Sequence, residues 1–201
     1  MHIFTLMARL ILSIFIFLIP VLLHAQSETT ARAQVYTSLP RALQEADQVK
    51  ILKLSKKKLK NFPLEILQLK NLEVLDLSSN KIKIIPPEIG TLTNLRELNL
   101  SKNKIKKLPV EFCNLTNLEK FSINRNPIDS LPDEVNKLEN LQVLDMWSTE
   151  LAILPETIKK LDNLKVVELR GILFNQEQQD YMHSLLPDAT INFSPPCNCK
   201  F

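Results

Sequence analysis

Catalysis would need a nucleophile or a carboxylate pair beside a histidine, and a closed zinc site would need four nitrogen or sulfur ligands. The chain holds three histidines, His2, His24 and His183, and three cysteines, Cys113, Cys197 and Cys199. His2 and His24 fall in an apolar leader, which leaves His183 alone in the remainder, among residues that read as helix packing. Cys197 and Cys199 follow Pro195-Pro196 and could join His183 in a soft metal site, but that makes three ligands, and Cys113 lies far from the tail. An oxidised pair, or a tail thiol used between molecules, is the plainer reading in an oxidising compartment. The two glycines, Gly90 and Gly171, cannot form a phosphate-cradling loop. These residues argue against an enzyme, and we expect no cofactor, metal or small-molecule substrate.

The chemistry that remains is that of contact, and its positions are set by a period. Asn-Leu recurs at Asn71, Asn94, Asn117, Asn140 and Asn163, every 23 residues, with Gln48-Val49 one step earlier. Six copies result, reading for example NLEVLDLSSNKIKIIPPEIGTLT and NLRELNLSKNKIKKLPVEFCNLT. A fixed period of this length marks a stack of small units, none of which can bury its apolar side alone. In each first half Leu75 and Leu77, Leu98 and Leu100, Phe121 and Ile123, Leu144 and Met146, and Val167 and Leu169 alternate with other residues, the pattern of a short strand. Strands from neighbouring copies should pair in parallel about 4.8 Å apart, so six would span roughly 24 Å.

The pattern LxxLxLxxN followed by x-[IL]-x-x-[IL]-P resembles the leucine-rich repeat of the bacterial secreted and Ras-suppressor-like type, from residue 48 to about 174. The resemblance implies an α/β solenoid with a curved parallel sheet on the concave face, an irregular convex face and helical caps. It also implies protein binding, without naming a partner.

Within each copy the backbone turns inward after the strand, where unpaired N–H and C=O groups are costly. Asn80, Asn103 and Asn126 share that slot and can bridge neighbouring turns as a ladder; Lys57, Thr149 and Ile172 interrupt it, so the outer repeats should be less regular. Phe62-Pro63, Ile85-Pro86, Leu108-Pro109, Leu131-Pro132 and Leu154-Pro155 keep the return path extended, with at most one or two helical turns after each proline. The stack needs covers at both ends. Ser38 to Ala46 supplies a helix pattern with Leu39, Leu43 and Ala46 on one side. Asn175 and Gln178 read as a cap before an apolar stripe of Tyr181, Met182, Leu185 and Leu186, and Thr190–Phe193 could add a strand.

Two surfaces emerge as candidate sites. The concave sheet face would present Asp76, Ser78, Asn99, Ser101, Ser122, Asn124, Arg125, Asp145, Trp147, Glu168 and Arg170. Register places Trp147, the one tryptophan, between Asn124 and Arg170, and an exposed Trp beside an Arg is the kind of pair that dominates interface energy or forms a cation–π contact. Asp145 and Glu168 would suit a partner of basic character. The second surface is a pair of lysine columns, Lys58, Lys81 and Lys104 in one slot and Lys60, Lys83 and Lys106 in another. Residues 26–116 carry 16 Lys or Arg against 9 Asp or Glu, and residues 117–201 carry 8 against 13, so the two halves bear +7 and −5. The columns serve as a solvated edge, or dock an anionic polysaccharide or lipid surface. No aromatic residues interleave with them, which argues against nucleic acid.

Arg9 precedes an apolar run from Leu10 to Leu23, broken by Pro20 and followed by Ala25, the layout of a secretory signal peptide over residues 1–25. An uncleaved anchor is the rival, since residues 3–23 approach spanning length. The expected organisation is thus a signal peptide, an N-terminal cap over 26–47, the repeats over 48–174, and a cap helix, strand and Cys-containing tail over 175–201. We expect a monomer that is secreted, periplasmic or at the cell surface and binds another protein.

Overall fold

The computed structural model describes residues 33–194; the expected signal peptide, and Cys197 and Cys199, lie outside them. Eight short strands form one parallel sheet in strict chain order: β1 Val35–Tyr36, β2 Ile51–Lys53, β3 Val74–Asp76, β4 Glu97–Asn99, β5 Lys120–Ser122, β6 Val143–Asp145, β7 Val166–Glu168 and β8 Thr190–Asn192. Register follows the repeat, so Tyr36, Leu52, Leu75, Leu98, Phe121, Leu144, Val167 and Ile191 stand side by side in one column. All eight are buried. Because these side chains alternate with outward ones, each strand contributes one large apolar residue to a continuous core, and Leu77, Leu100, Ile123, Met146 and Leu169 form a second buried column beside it.

The sheet exceeds the six strands of the repeats by one at each end. β8 is the strand that Thr190–Phe193 suggested. β1 was not foreseen: the segment read as a helical cap begins with it, and Tyr36 extends the leucine column before helix α1, Leu39–Gln44. In α1 the fully buried residue is Ala42, with Leu39, Leu43 and Ala46 partly buried against the core. At the other end α2, Gln176–Leu185, starts in a capping box: Asn175 Oδ1 accepts from the Gln178 N–H at 2.8 Å, and Gln178 Oε1 accepts from the Asn175 N–H at 3.0 Å. Met182, Leu185 and Leu186 are buried, while Tyr181 stays exposed.

After each proline the return path makes one five-residue 3-10 turn, at Leu64–Gln68, Pro87–Thr91, Val110–Asn114, Asp133–Lys137 and Glu156–Lys160. Each proline disfavours helix in the residue before it, so the turn can begin only after it, and a 23-residue circuit leaves no length for more than a short 3-10 run. Each turn buries an apolar anchor at its third position, Ile66, Ile89, Phe112, Val135 and Ile158, and Val110–Asn114 buries Cys113 as well.

Candidate functional site

What holds the sheet face in place lies in the turns that follow the strands. Asn103 is representative. Its Nδ2 donates to the carbonyls of Leu77 at 3.0 Å and Leu100 at 2.9 Å, and its Oδ1 accepts the Ile82 N–H at 3.0 Å. Asn80 and Asn126 make the same three kinds of bond one repeat away, Asn80 to Leu54, Leu77 and Leu59, Asn126 to Leu100, Ile123 and Ile105. In the fifth copy Thr149 occupies the slot and makes one bond, Oγ1 to the Met146 carbonyl at 2.9 Å. Its side chain is too short to reach back to the preceding repeat.

A second ladder runs through the residues that mark the period. Asn71, Asn94, Asn117, Asn140 and Asn163 each donate through Nδ2 to a carbonyl of the preceding circuit, those of Asp47, Lys70, Thr93, Thr116 and Glu139, at 2.8 to 2.9 Å. From sequence these residues served only to mark the period. Their amide side chains, recurring at one slot, were the available signal of a bonding role.

One residue of every turn has positive φ: Lys56 59°, Ser79 57°, Lys102 56°, Arg125 54°, Ser148 54° and Gly171 77°. That backbone costs a non-glycine residue about 1–2 kcal/mol. It is held because the N–H groups of Lys56, Ser79, Lys102, Arg125 and Ser148 donate to carbonyls of the next turn, for example Arg125 to Trp147 at 2.9 Å. The left-handed turn also aims the Arg125 side chain along the stack, and its guanidinium lies over the Trp147 ring, 4.1 Å from the centroid. This corrects the pairing expected from register alone. Trp147 sits past the end of β6, in the turn, half-buried rather than exposed, and its arginine is Arg125. Arg170 instead donates from Nε to Glu168 Oε2 at 2.9 Å.

Around this stacked pair the face is already bonded to itself. Asn124 donates to Asp145, Asn192 donates to Glu168, and the Lys120 ammonium meets Glu97 Oε1 at 2.7 Å. That contact holds the Lys120 pKa above its ordinary value, through the hydrogen bond first and the charge second. Asp76, Asn99 and Asp145 also accept the N–H two residues on, those of Ser78, Ser101 and Trp147, so their side chains shape the turns as well as facing outward. Ser122 lies half-buried on β5. Ser101 is a second correction: it is 7% exposed, and its Oγ has no hydrogen-bond partner among the described residues, so it is packed in the turn and not offered to a partner.

The lysine columns lie on another part of the surface, along one edge of the first three copies. Among the described residues, none of Lys58, Lys60, Lys81, Lys83, Lys104 and Lys106 comes within ion-pair distance of a carboxylate. Between them runs a groove of about 780 Å³ lined by Ile84, Ile85, Pro87, Leu108, Pro109 and Pro127, with Lys83, Lys104, Lys106 and Lys107. Lys58 departs from the column in its backbone, taking a positive φ of 59° where the first copy has Lys57 instead of the ladder asparagine. His183 packs edge-on against Phe193 with centroids 5.4 Å apart, which is a packing role. Cys113 is fully buried, and burial first, then the charge of Glu134, pushes its thiol up to about 12. Among the described residues no three His, Cys, Asp or Glu side chains come together as a metal-ligand group, and no helix is long and apolar enough to cross a membrane.

Residues 37–126 match the family described as leucine-rich repeat region. A solved LRR protein of Leptospira interrogans is similar at 33% identity with a TM-score of 0.63, over 81% of this chain and 47% of that one. The LRR ectodomain of the Arabidopsis thaliana plant membrane receptor kinase GASSHO1/SCHENGEN3, in complex with Casparian strip integrity factor 2, is similar at 25% identity and a TM-score of 0.59, over 73% of this chain and 18% of that one. An internalin C2 from Listeria monocytogenes shares the fold at 24% identity and a TM-score of 0.63, over 80% and 67%. The chain therefore spans about half the length of the Leptospira protein and less than a fifth of the plant ectodomain. No curated protein matches it. With the register, the ladder and these likenesses together, the molecule is a leucine-rich repeat solenoid with an open curved parallel sheet.

Proposed function

We propose that the chain is an exported recognition module of the bacterial secreted type that binds another protein through its sheet face and performs no catalysis. The carrying observation is the Arg125–Trp147 stack, 4.1 Å apart, flanked by the bonded pairs Asn124–Asp145 and Arg170–Glu168. Side chains held this way lose little freedom on contact, so binding energy is not spent on ordering them. Glu168 is already matched by Arg170, and Asp145, which accepts from neutral donors only, is the carboxylate left to favour a basic group on the partner. The leucine-rich repeat architecture supports the reading, since the similar plant ectodomain is in complex with Casparian strip integrity factor 2. Export is supported by the apolar run after Arg9, with processing expected after Ala25.

The test is capture of partners with the chain as bait, followed by calorimetry on Trp147→Ala and Arg125→Ala. Loss of a central aromatic anchor should weaken binding by about 2 kcal/mol, near thirtyfold, while the melting transition remains cooperative. A captured partner that binds both variants as tightly as the parent chain would refute the assignment. Sequencing the mature N-terminus of secreted material should give Gln26 first; a retained Met1 would favour the anchor.

A further inference from the structure

The lysine edge goes beyond protein recognition, and the composition of its groove says what belongs there. Ile84 stands 75% exposed at its mouth. Its apolar lining is Ile84, Ile85, Leu108 and three prolines, Pro87, Pro109 and Pro127, each without a backbone N–H of its own. No Asp, Glu, Asn, Gln, Ser or Thr lines it. Its side chains include no hydrogen-bond acceptor, so the amide N–H groups of an extended peptide and the hydroxyl protons of a sugar chain would find no side-chain partner there. A hydrocarbon chain needs none. The rim is Lys83, Lys104, Lys106 and Lys107, and an adjoining recess of about 420 Å³ shares Lys83 and Lys104 and adds Lys60, Lys81 and one amide, Asn61. Long lysine stems can lie on the apolar wall while the ammonium groups reach anionic headgroups.

We infer that this edge docks the protein on a membrane surface rich in anionic lipid, with the groove of Ile84 taking acyl chain and the lysine rim taking headgroup phosphate. The same edge supplies its own control. Ile153 occupies the slot of Ile84 three copies later and is 45% exposed, but the column positions there hold Asp129, Glu150 and Ala152 instead of lysines.

The experiment is flotation of the full chain with vesicles of phosphatidylcholine alone or with about 30% phosphatidylglycerol. The apolar run of residues 10–23 favours both bilayers alike, so the reading is the preference for the anionic one. That preference should exceed tenfold, fall by about fivefold for each of Lys83→Gln and Lys106→Gln, and fall again with Ile84→Gln. Ile153→Gln and Trp147→Ala should leave it unchanged, which separates this site from the sheet face. Absence of preference, a preference indifferent to Lys83, Lys106 and Ile84, or full competition by soluble polyglutamate with Ile84→Gln silent would each overturn the inference, the last in favour of an acidic protein.

Discussion

The middle of the stack and its ends are built on the same 23-residue template but closed by different means. In the second to fourth copies an asparagine inside each turn satisfies three backbone groups and ties a repeat to the one before it. The first copy has Lys57 there and adds a second left-handed residue, Lys58; the fifth has Thr149 with a single bond; the sixth has Ile172 with none to give. The ends are instead covered by α1 with β1 and by α2 with β8. Register holds in every copy, with or without the asparagine, so the leucines suffice for it, while the polar side chain in the turn is what we expect to set stiffness. In an array where each unit touches only its neighbours, that difference should appear as unequal local stability.

The contrast can be broken by mutation, starting with the core. Phe112 and Phe121 are buried with ring centroids 4.6 Å apart in the middle of the stack, so Phe112→Ala should cost about 3–5 kcal/mol by urea titration. Phe193→Ala, at the partly buried C-terminal end, should cost about half that or less. An equal loss at both places would mean that the stack unfolds with no weaker end. Next in size, Asn103→Ala removes bonds to Leu77, Leu100 and the Ile82 N–H and should cost about 3 kcal/mol, against about 1 kcal/mol for Thr149→Ala. Gly90→Ala would set a Cβ 2.4 Å from the Glu111 carbonyl oxygen, so the neighbouring turn must move, at about 1–3 kcal/mol of thermal stability. Gly171→Ala, at a φ of 77° near the C-terminal end, should lose about 1 kcal/mol.

The remaining effect is read along a pH axis and concerns Cys113. With the folded thiol pushed from an ordinary 9.0 up to about 12, the unfolded chain releases its proton first, so folding stability should decline as pH rises from about 9 to about 12. At pH 8 the native Cys113 should resist alkylation that proceeds readily in denaturant; rapid native alkylation would show that this part of the middle opens easily.

Much of this was legible beforehand because it repeats. Alternating leucines fixed strand direction and register, the asparagines of the turn pointed to the ladder, and the prolines limited the return path to a short turn. What stayed hidden has specific causes. The left-handed slot is filled by Lys56, Ser79, Lys102, Arg125 and Ser148, none of them a residue whose type announces positive φ, and only Gly171 hinted at it. Arg125 stacks on Trp147 from that slot, one register position off the tryptophan's own, so register alone paired the tryptophan with the wrong arginine. Ser101 shares its slot with half-buried Ser78, so the pattern that placed both outward could not separate them. β1 is two residues long, too short to carry an alternation.

The direct measurement is residue-resolved native-state amide exchange at one slot in consecutive copies. The Ile82 and Ile105 N–H groups donate to the side-chain oxygens of Asn103 at 3.0 Å and Asn126 at 2.9 Å, whereas Ile128 faces the copy where threonine stands instead. Ile82 and Ile105 should exchange only with global unfolding and Ile128 at least tenfold faster. Equal exchange at all three would contradict the claim that the turn asparagines, rather than the leucine stack alone, make the middle of this solenoid rigid.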